Sequence, residues 1–425
     1  MSKPSVLIFA AMAATTYAGP LDPPNGPPAP TMKTLEQVEP RTPVNAQTCP
    51  GDNDDSPSLF KITQPGSYYL TGNLIGASGK SGVEIASSGV TLDLMGFDLV
   101  GVPGSIDAVE TTVSYETFSV TIRNGTVRNW GRHGVNAGYA RGCRIDDVIA
   151  DSNFADGIRA EQRSVITGCI STQNGGAGLY GGSWCTVSDC TAVLNGGSGF
   201  EFGGNANVVN CTAVHSGADG FKCGFEGAFN NCLASDSDLA GFNITASSAT
   251  ACSAYNNGSD GFNVGAGTVV SQCTARVNGG VGINADNGSN ISGCTALAND
   301  GGGIKANTRS TIADCDATFN DAFGIQVNEH CHVSRNNCAS TDSVDIIPGA
   351  GIRVFGTANR IEDNTLGANA VGLHVTSTDN FIVKNTARGN TTNFNVAAGN
   401  ELAPVITNPG SNGFATMTPW SNVAY

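Results

Sequence analysis

Three consecutive stretches align without a gap: CISTQNGGAGLYGGSWCTVSD (169–189), CTAVLNGGSGFEFGGNANVVN (190–210) and CTAVHSGADGFKCGFEGAFNN (211–231). Each is 21 residues long and opens on cysteine. The cysteine file runs on through Cys232, Cys252, Cys273, Cys294 and Cys315, with every step 21 residues except one of 20. Beyond it Asn336, Asn364 and Asn385 stand in the same register. A second file is a glycine followed by an apolar residue. It runs from Gly134-Val135 and Gly157-Ile158 through Gly199-Phe200 and Gly241-Phe242 to Gly372-Leu373. Asn174, Asn195, Asn278, Asn299 and Asn320 keep the same step.

A 21-residue unit so poor in helix formers is too short for a helical repeat. Phe200-Glu201-Phe202 and Ile325-Gln326-Val327 alternate apolar with polar residues, the period of a strand. Three short strands joined by Gly and Asn turns account for one coil. Successive coils then pair about 4.8 Å apart and place like on like, with buried asparagine amides bonding along the stack. The expected fold is all-β: a single-stranded right-handed parallel β-helix of about a dozen coils over residues 82–400.

The remaining segments read differently. Lys3, the apolar run 6–14 and the small residues ending at Ala18 predict an export signal cleaved after Ala18. That run is too short to span a membrane, and nothing later reaches the length required. Residues 19–48 are a Pro-rich linker, 49–118 an N-terminal cap with the first coils, 119–400 the regular coils and 401–425 a tail. Two irregular stretches, Pro103–Phe118 and Ser340–Ala350, should loop out of the stack. The chain is 13% charged with a net charge of −15, which disfavours a phosphate backbone and hence nucleic acid. The reading is of a secreted or cell-surface protein that meets an extracellular polysaccharide or cell-surface glycan.

The 14 cysteines contain no C-x-x-C pair, and a single file is not a tetrahedron, so zinc is not indicated. In-register Cβ atoms about 4.8 Å apart also exceed the about 3.8 Å of a relaxed disulfide. The file reads as a buried, reduced ladder of small side chains. Cys223 falls in another inward row, while Cys49, Cys143, Cys185 and Cys331 lie outside the main file without an assigned role. The N-G-G-x-G pieces lack the nine-residue period and the aspartate of calcium-binding glycine repeats. No cofactor is expected, and calcium is not indicated.

The repeats resemble those of the pectate-lyase-like superfamily. FKITQPGSYYLTGNLIG (60–76), GVEIASSGVTLDLMGFDLVG (82–101) and SVTIRNGTVRNWGRHGV (119–135) resemble the start of a group of bacterial secreted β-helix proteins. The resemblance implies the fold. It implies no single chemistry, since that superfamily holds lyases, hydrolases, epimerases, adhesins and inert scaffolds. The hydrolases' Asn-Thr-Asp, paired Asp and Gly-His-Gly motifs are present only in fragments: Arg132-His133-Gly134 lacks the first glycine. The epimerase signature of tyrosine and His-Asp is absent.

The residue after each Gly-apolar pair lies between two inward positions and should face solvent. That row is Asn136, Arg159, Tyr180, Glu201, Lys222, Asn243, Asn263, Asn284, Lys305, Gln326, Arg353 and His374. Arg159, Tyr180, Glu201 and Lys222, with Asp156 and Asp219 at the edge, are the candidate glycan-binding residues. Tyr180 offers a ring, Arg159 and Lys222 can meet carboxylates, and Glu201 can accept hydroxyls. Glycan binding or a structural role leads. The alternative is a polysaccharide-active enzyme, lyase before hydrolase, acting on an acidic polymer.

Overall fold

The computed structural model describes residues 41–52, 54, 57–112, 119–341, 349–407 and 417–425. From Thr42 onward the chain forms one compact unit. The described residues contain strands and turns and no helix. One sheet has sixteen parallel strands, from Ser58–Ile62 to Thr392–Val396. The other is 32-stranded, because most coils give it two strands. A typical coil contributes Ile158–Ala160 to the first sheet, then Val165–Thr167 and Ile170–Thr172 to the second. The three strands per coil are those the alternation predicted.

Among the described residues the stack holds sixteen coils rather than about a dozen. Three of the extra ones lie at the N-terminal end, where coil length hides them, and one, Thr392–Val396, at the other end, where Asn393 replaces the glycine. Val83 pairs with Val109 and Val109 with Val135, steps of 26 residues. Val109–Thr111 is therefore a buried strand of the sixteen-stranded sheet, not part of an external loop. Pro103 and Gly104 do sit at the surface, and residues 113–118 lie outside the described residues. Of the second expected loop, Thr341 and Ala350 are fully buried, and 342–348 lie outside the described residues. The fold also starts before Cys49: Thr42 and Pro43 pair with Tyr68 and Tyr69. The tail is partly strand, with Asn422–Ala424 added to the larger sheet.

Most inward residues are small or aliphatic, and one aromatic column runs among them. Phe200, Phe221, Phe242 and Phe262 stack at 4.8, 4.8 and 4.7 Å with rings within 7° of parallel. Phe229 meets two of them edge-on at 6.0 and 6.2 Å. Offset and edge contacts of this kind add about 0.5–1.5 kcal/mol each beyond area burial.

The corners are ladders. The cysteine file lies at the bend between the two strands of the larger sheet, and all its thiols are free and buried. These thiols do more than fill space. The backbone N–H of Cys169 donates to the sulfur of Cys190 at 3.4 Å, and Cys190 Sγ donates to the Ser188 carbonyl at 3.2 Å. Asparagine takes over the same role downstream: Asn336 Nδ2 donates to Asn364 Oδ1 at 3.0 Å, and Asn364 Nδ2 to Asn385 Oδ1 at 2.9 Å. The residue one before each cysteine adopts the left-handed conformation, for example Asp189 at φ 56° and Asn210 at φ 55°, which Asp and Asn tolerate best after glycine.

A second corner row gives places to three of the cysteines left over. It runs Cys143, Ser164, Cys185, Ala206, then through Ser289 and Ser310 to Cys331 and Asn359. Cys331 N–H donates to Asn359 Oδ1 at 2.8 Å. The third corner is the asparagine ladder proper. Asn174 Nδ2 donates to Asn195 Oδ1 at 2.9 Å and to the Ala150 carbonyl at 3.1 Å. Asn278 repeats this with Asn299 at 2.9 Å. Ser216 and Ser237 interrupt this ladder, and their buried hydroxyls make no hydrogen bond. Cys49 is buried in the N-terminal cap, where its N–H donates to the Asn45 carbonyl at 2.8 Å.

Candidate functional site

The Gly-apolar pairs force one residue per coil outward from the sixteen-stranded sheet. The four central candidates lie on consecutive strands, Arg159 opposite Tyr180, Tyr180 opposite Glu201 and Glu201 opposite Lys222. Their side chains form two linked groups. The Arg159 guanidinium lies 4.3 Å from the centre of the Tyr180 ring, and its Nη1 sits 3.2 Å from Asp156 Oδ2. Lys222 Nζ sits 3.0 Å from Glu201 Oε1, and that carboxylate raises the lysine above its ordinary value. The pair is partly exposed, so it contributes little to stability. Arg159 and Lys222 thus already have carboxylate neighbours, and an anionic ligand would have to compete with them.

The two edge aspartates act as braces. Asp156 Oδ1 accepts the Ala177 N–H at 2.9 Å. Asp219 is buried, contrary to its expected place at an exposed edge. Its Oδ1 accepts the Ala240 N–H at 3.1 Å and its Oδ2 the Asn243 amide at 3.0 Å. Asp260 repeats this with Val281 and Asn284 at 2.7 and 2.9 Å. These acids satisfy turn donors, and Asp219 and Asp260 also orient the next outward amide.

Two members of the outward row do not face solvent. Asn136 is buried because its Nδ2 reaches back to Asp107 Oδ2 at 2.9 Å. Arg353 is buried between Phe323 and Phe355, 5.7 and 5.9 Å from their ring centres, and its Nη2 donates to the Ala322 carbonyl at 3.1 Å. Further along, Asn243, Asn263, Asn284, Lys305, Asp286 and Asn307 line a polar cleft of about 300 Å³. The amide nitrogens of Asn243 and Asn284 are held by Asp219 and Asp260, and the Asn243 oxygen accepts the Asn263 amide at 3.4 Å. Lys305 makes no ion pair among the described residues.

Beyond Asn136 the row continues toward the N-terminus through Glu110, Glu84 and Lys61, which sequence reasoning missed. The signal was weak: the steps are 23 and 26 residues, and Ala108 replaces the glycine. Glu110 is only 8% exposed, and its Oε1 has no hydrogen-bond partner. Burial, and then the charges of Asp107 and Glu84, push its carboxyl up to about 7 against a Ser81 hydrogen bond that lowers it. Asp107, fully buried, accepts the His133 N–H at 2.8 Å. His133 Nδ1 accepts the Asp156 N–H at 3.1 Å, so a neutral ring carries its proton on Nε2. Burial holds this histidine below its ordinary value. Asp52, Asp54 and Glu84 converge as a cation site would. Lys61 fills it, 2.7, 2.6 and 3.1 Å from the three.

A second cleft, about 540 Å³, opens beside this end and is lined by Gly101, Pro103, Gly131, Trp130 and Phe154. Phe154 is 80% exposed, and Trp130 is pinned by its indole N–H on the Leu99 carbonyl at 3.0 Å.

The mannuronan C-5 epimerase AlgE4 A-module of Azotobacter vinelandii is 12% identical, over 75% of this chain and 91% of that one, with a TM-score of 0.37. Tailspike protein 3 of bacteriophage CBA120 is 13% identical, over 83% and 64%, with a TM-score of 0.39. Pectate lyase Pel9A is 15% identical, over 60% and 71%, with a TM-score of 0.35. Likenesses this remote bring no chemistry with them. No curated protein matches the chain in sequence. The model of the right handed beta helix region matches residues 111–257 and 245–392. Most of the chain lies within those matches, and the protein belongs to the right-handed β-helix family.

Proposed function

We propose that this is an exported β-helix protein that binds an extended extracellular polysaccharide along the outward face of its sixteen-stranded sheet. The observation that carries the reading is the unbroken run Arg159, Tyr180, Glu201, Lys222, Asn243, Asn263, Asn284 and Lys305 on consecutive strands. Donors and acceptors recur there about every 4.8 Å, a spacing suited to hydroxyls of a sugar chain lying along the axis. The cleft at the amide end adds concavity, and Lys305 adds a cation able to receive a uronate carboxylate. No step of this reading needs a cofactor.

A glycan array with the mature protein tests it. Binding to one or a few polysaccharides, lost in Arg159→Ala/Lys222→Ala and in Asn263→Ala/Lys305→Ala, is the expected result. Unchanged binding in both folded variants would leave the stripe as solvated surface. A second reading, cleavage of the bound chain, draws on Glu110. A carboxyl that titrates near neutrality beside the binding row is the kind of group that moves protons. New reducing ends, or unsaturated products absorbing near 235 nm, abolished by Glu110→Gln with binding retained, would decide for it.

A further inference from the structure

The turn that follows the sixteen-stranded sheet carries two half-exposed aromatic side chains that neither the core nor the outward row uses. Trp184 follows the strand Leu179–Gly181 and Phe225 the strand Phe221–Cys223, so both stand beside the outward row, at Tyr180 and Lys222. Trp184 is 54% exposed and Phe225 46%. Phe225 lies flat. Its ring carbons Cζ, Cε1 and Cε2 stand 2.7, 2.8 and 2.9 Å from the point that a Cβ on Gly204 would occupy. A point nearly equidistant from three adjacent atoms of a hexagon lies over the ring, not beside its edge. One face of Phe225 therefore rests on the buried Gly204, and the opposite face is turned outward. Only glycine leaves room for this.

Trp184 stands on the adjoining coil, where its backbone N–H donates to the Gly204 carbonyl at 3.0 Å. Arg163 approaches its ring at 5.9 Å. Trp184 has a left-handed backbone, with φ 59°. In several other coils that turn position goes to residues that tolerate it best, as at Asn205, Gly267, Gly288 and Asp379. A bulky ring bears the backbone cost here and gains no full burial in return, the pattern of a residue kept for function. The rim of the two rings is polar. Asn205 Nδ2 donates to Glu226 Oε2 at 2.7 Å, while Asn205 Oδ1 and Glu226 Oε1 accept no hydrogen bond within the described residues.

A flat apolar plate with spare acceptors at its rim is the complement of a pyranose, whose faces carry axial C–H groups and whose edge carries equatorial hydroxyls. Equatorial links keep such units in a straight ribbon. Axial links coil the chain and carry it off a straight row of coils. We propose that Trp184 and Phe225 are stacking platforms for sugar rings, and that the polysaccharide is an extended ribbon of equatorially linked pyranoses such as β-1,4-linked glucose, N-acetylglucosamine or xylose. The inference rests on the glycan-binding reading and narrows it. The outward row supplies the polar contacts, and the two plates select ring shape and linkage.

The test uses the full chain carrying Trp420→Phe, which leaves Trp184 as the exposed tryptophan beside the buried Trp130. Hexamers of β-1,4-linked glucose, N-acetylglucosamine and xylose are compared with the α-1,4-linked glucose hexamer by fluorescence and calorimetry. At least one β-linked hexamer should bind, move the Trp184 emission to shorter wavelength and shield it from acrylamide. The α-linked hexamer should bind about tenfold more weakly or not at all. Trp184→Ala and Phe225→Ala, both folded by circular dichroism, should each weaken binding about tenfold, the former read by calorimetry. Trp184→Phe and Phe225→Tyr should hold it within about threefold. Failure of every β-linked hexamer to bind, an unmoved emission on binding, full affinity in the alanine variants, or preference for the α-linked hexamer would overturn the proposal. A polysaccharide that binds through Arg159 and Lys222 with both alanine variants unaffected would sink this inference and leave the glycan-binding reading standing. If no hexamer and no polysaccharide on the array binds, both fall.

Discussion

The backbone N–H of Cys315 meets Oδ1 of Asn336 at 2.9 Å, where one coil earlier the N–H of Cys294 meets the sulfur of Cys315 at 3.5 Å. Thiol and carboxamide occupy one structural position and answer the same donor. The amide does so with the shorter bond, and its Nδ2 also donates to the Ile312 carbonyl at 3.0 Å.

Cys315→Asn should therefore extend the asparagine run by one rung and be neutral or stabilising by up to about 1 kcal/mol. Cys232→Ala, which removes both the packing and the sulfur's bonds, should cost about 1–2 kcal/mol. Urea denaturation of both under reducing conditions checks the pair. Thiol labelling of the native protein should also be slow, in keeping with a buried, reduced file.

The gap in the asparagine ladder makes a stabilisation available. Ser216 and Ser237 leave buried hydroxyls unsatisfied between Asn195 and Asn257. The double change Ser216→Asn/Ser237→Asn should close the run and raise stability by about 1–3 kcal/mol. A midpoint of thermal unfolding at or below that of the parent protein would contradict it.

Phe221 has a stacked ring on each side and Phe229 against its edge. Phe221→Ala should cost about 3–5 kcal/mol, since neighbours in register cannot move in to fill the space. Phe394, half-covered on the last coil, should cost less than half as much when cut back to alanine. Chemical denaturation of the two variants gives the comparison.

Glu110 gives stability a pH dependence of defined sign. Its carboxyl is raised from 4.5 to about 7 in the folded protein. The native state thus holds the proton more tightly than the unfolded chain. The associated stability is complete below about 4.5 and is lost as pH rises through about 7. Glu110→Gln should flatten that part of the curve and stabilise the protein above neutrality by on the order of 2 kcal/mol. Denaturation midpoints between pH 4 and 9, or thereabouts, measure it.

The regular coils were legible because identical residues recur at one step, and the step itself names the architecture. The first coils were not. Val83 and Val109 serve the same inward column as Val135, but coils lengthened to 26 residues break the period that reveals them. The candidate row was legible up to the backbone. Alternation places Glu201 and Lys222 outward and side by side, as found. It cannot say that Asn136 bends back to an aspartate in the preceding coil, or that two phenylalanines enclose Arg353. Those outcomes depend on rotamers and on residues far apart in sequence. Glu110 was missed for the same reason as its coil.

Because each coil meets the next through like residues, no coil specifies its neighbour. Phe221 would be met as well by Phe262 as by Phe242, and Asn278 as well by Asn320 as by Asn299. Removing one 21-residue unit, such as 273–293, would rejoin Cys252 to Cys294, Phe262 to Ile304 and Asn257 to Asn299, so that like still meets like at the corners. The molecule would be shorter by one rung, about 4.8 Å. Its length is therefore a heritable quantity that changes in whole steps, by duplication or loss of one short stretch of gene. Each such step lengthens or shortens the binding row without redrawing the groups on either side of it.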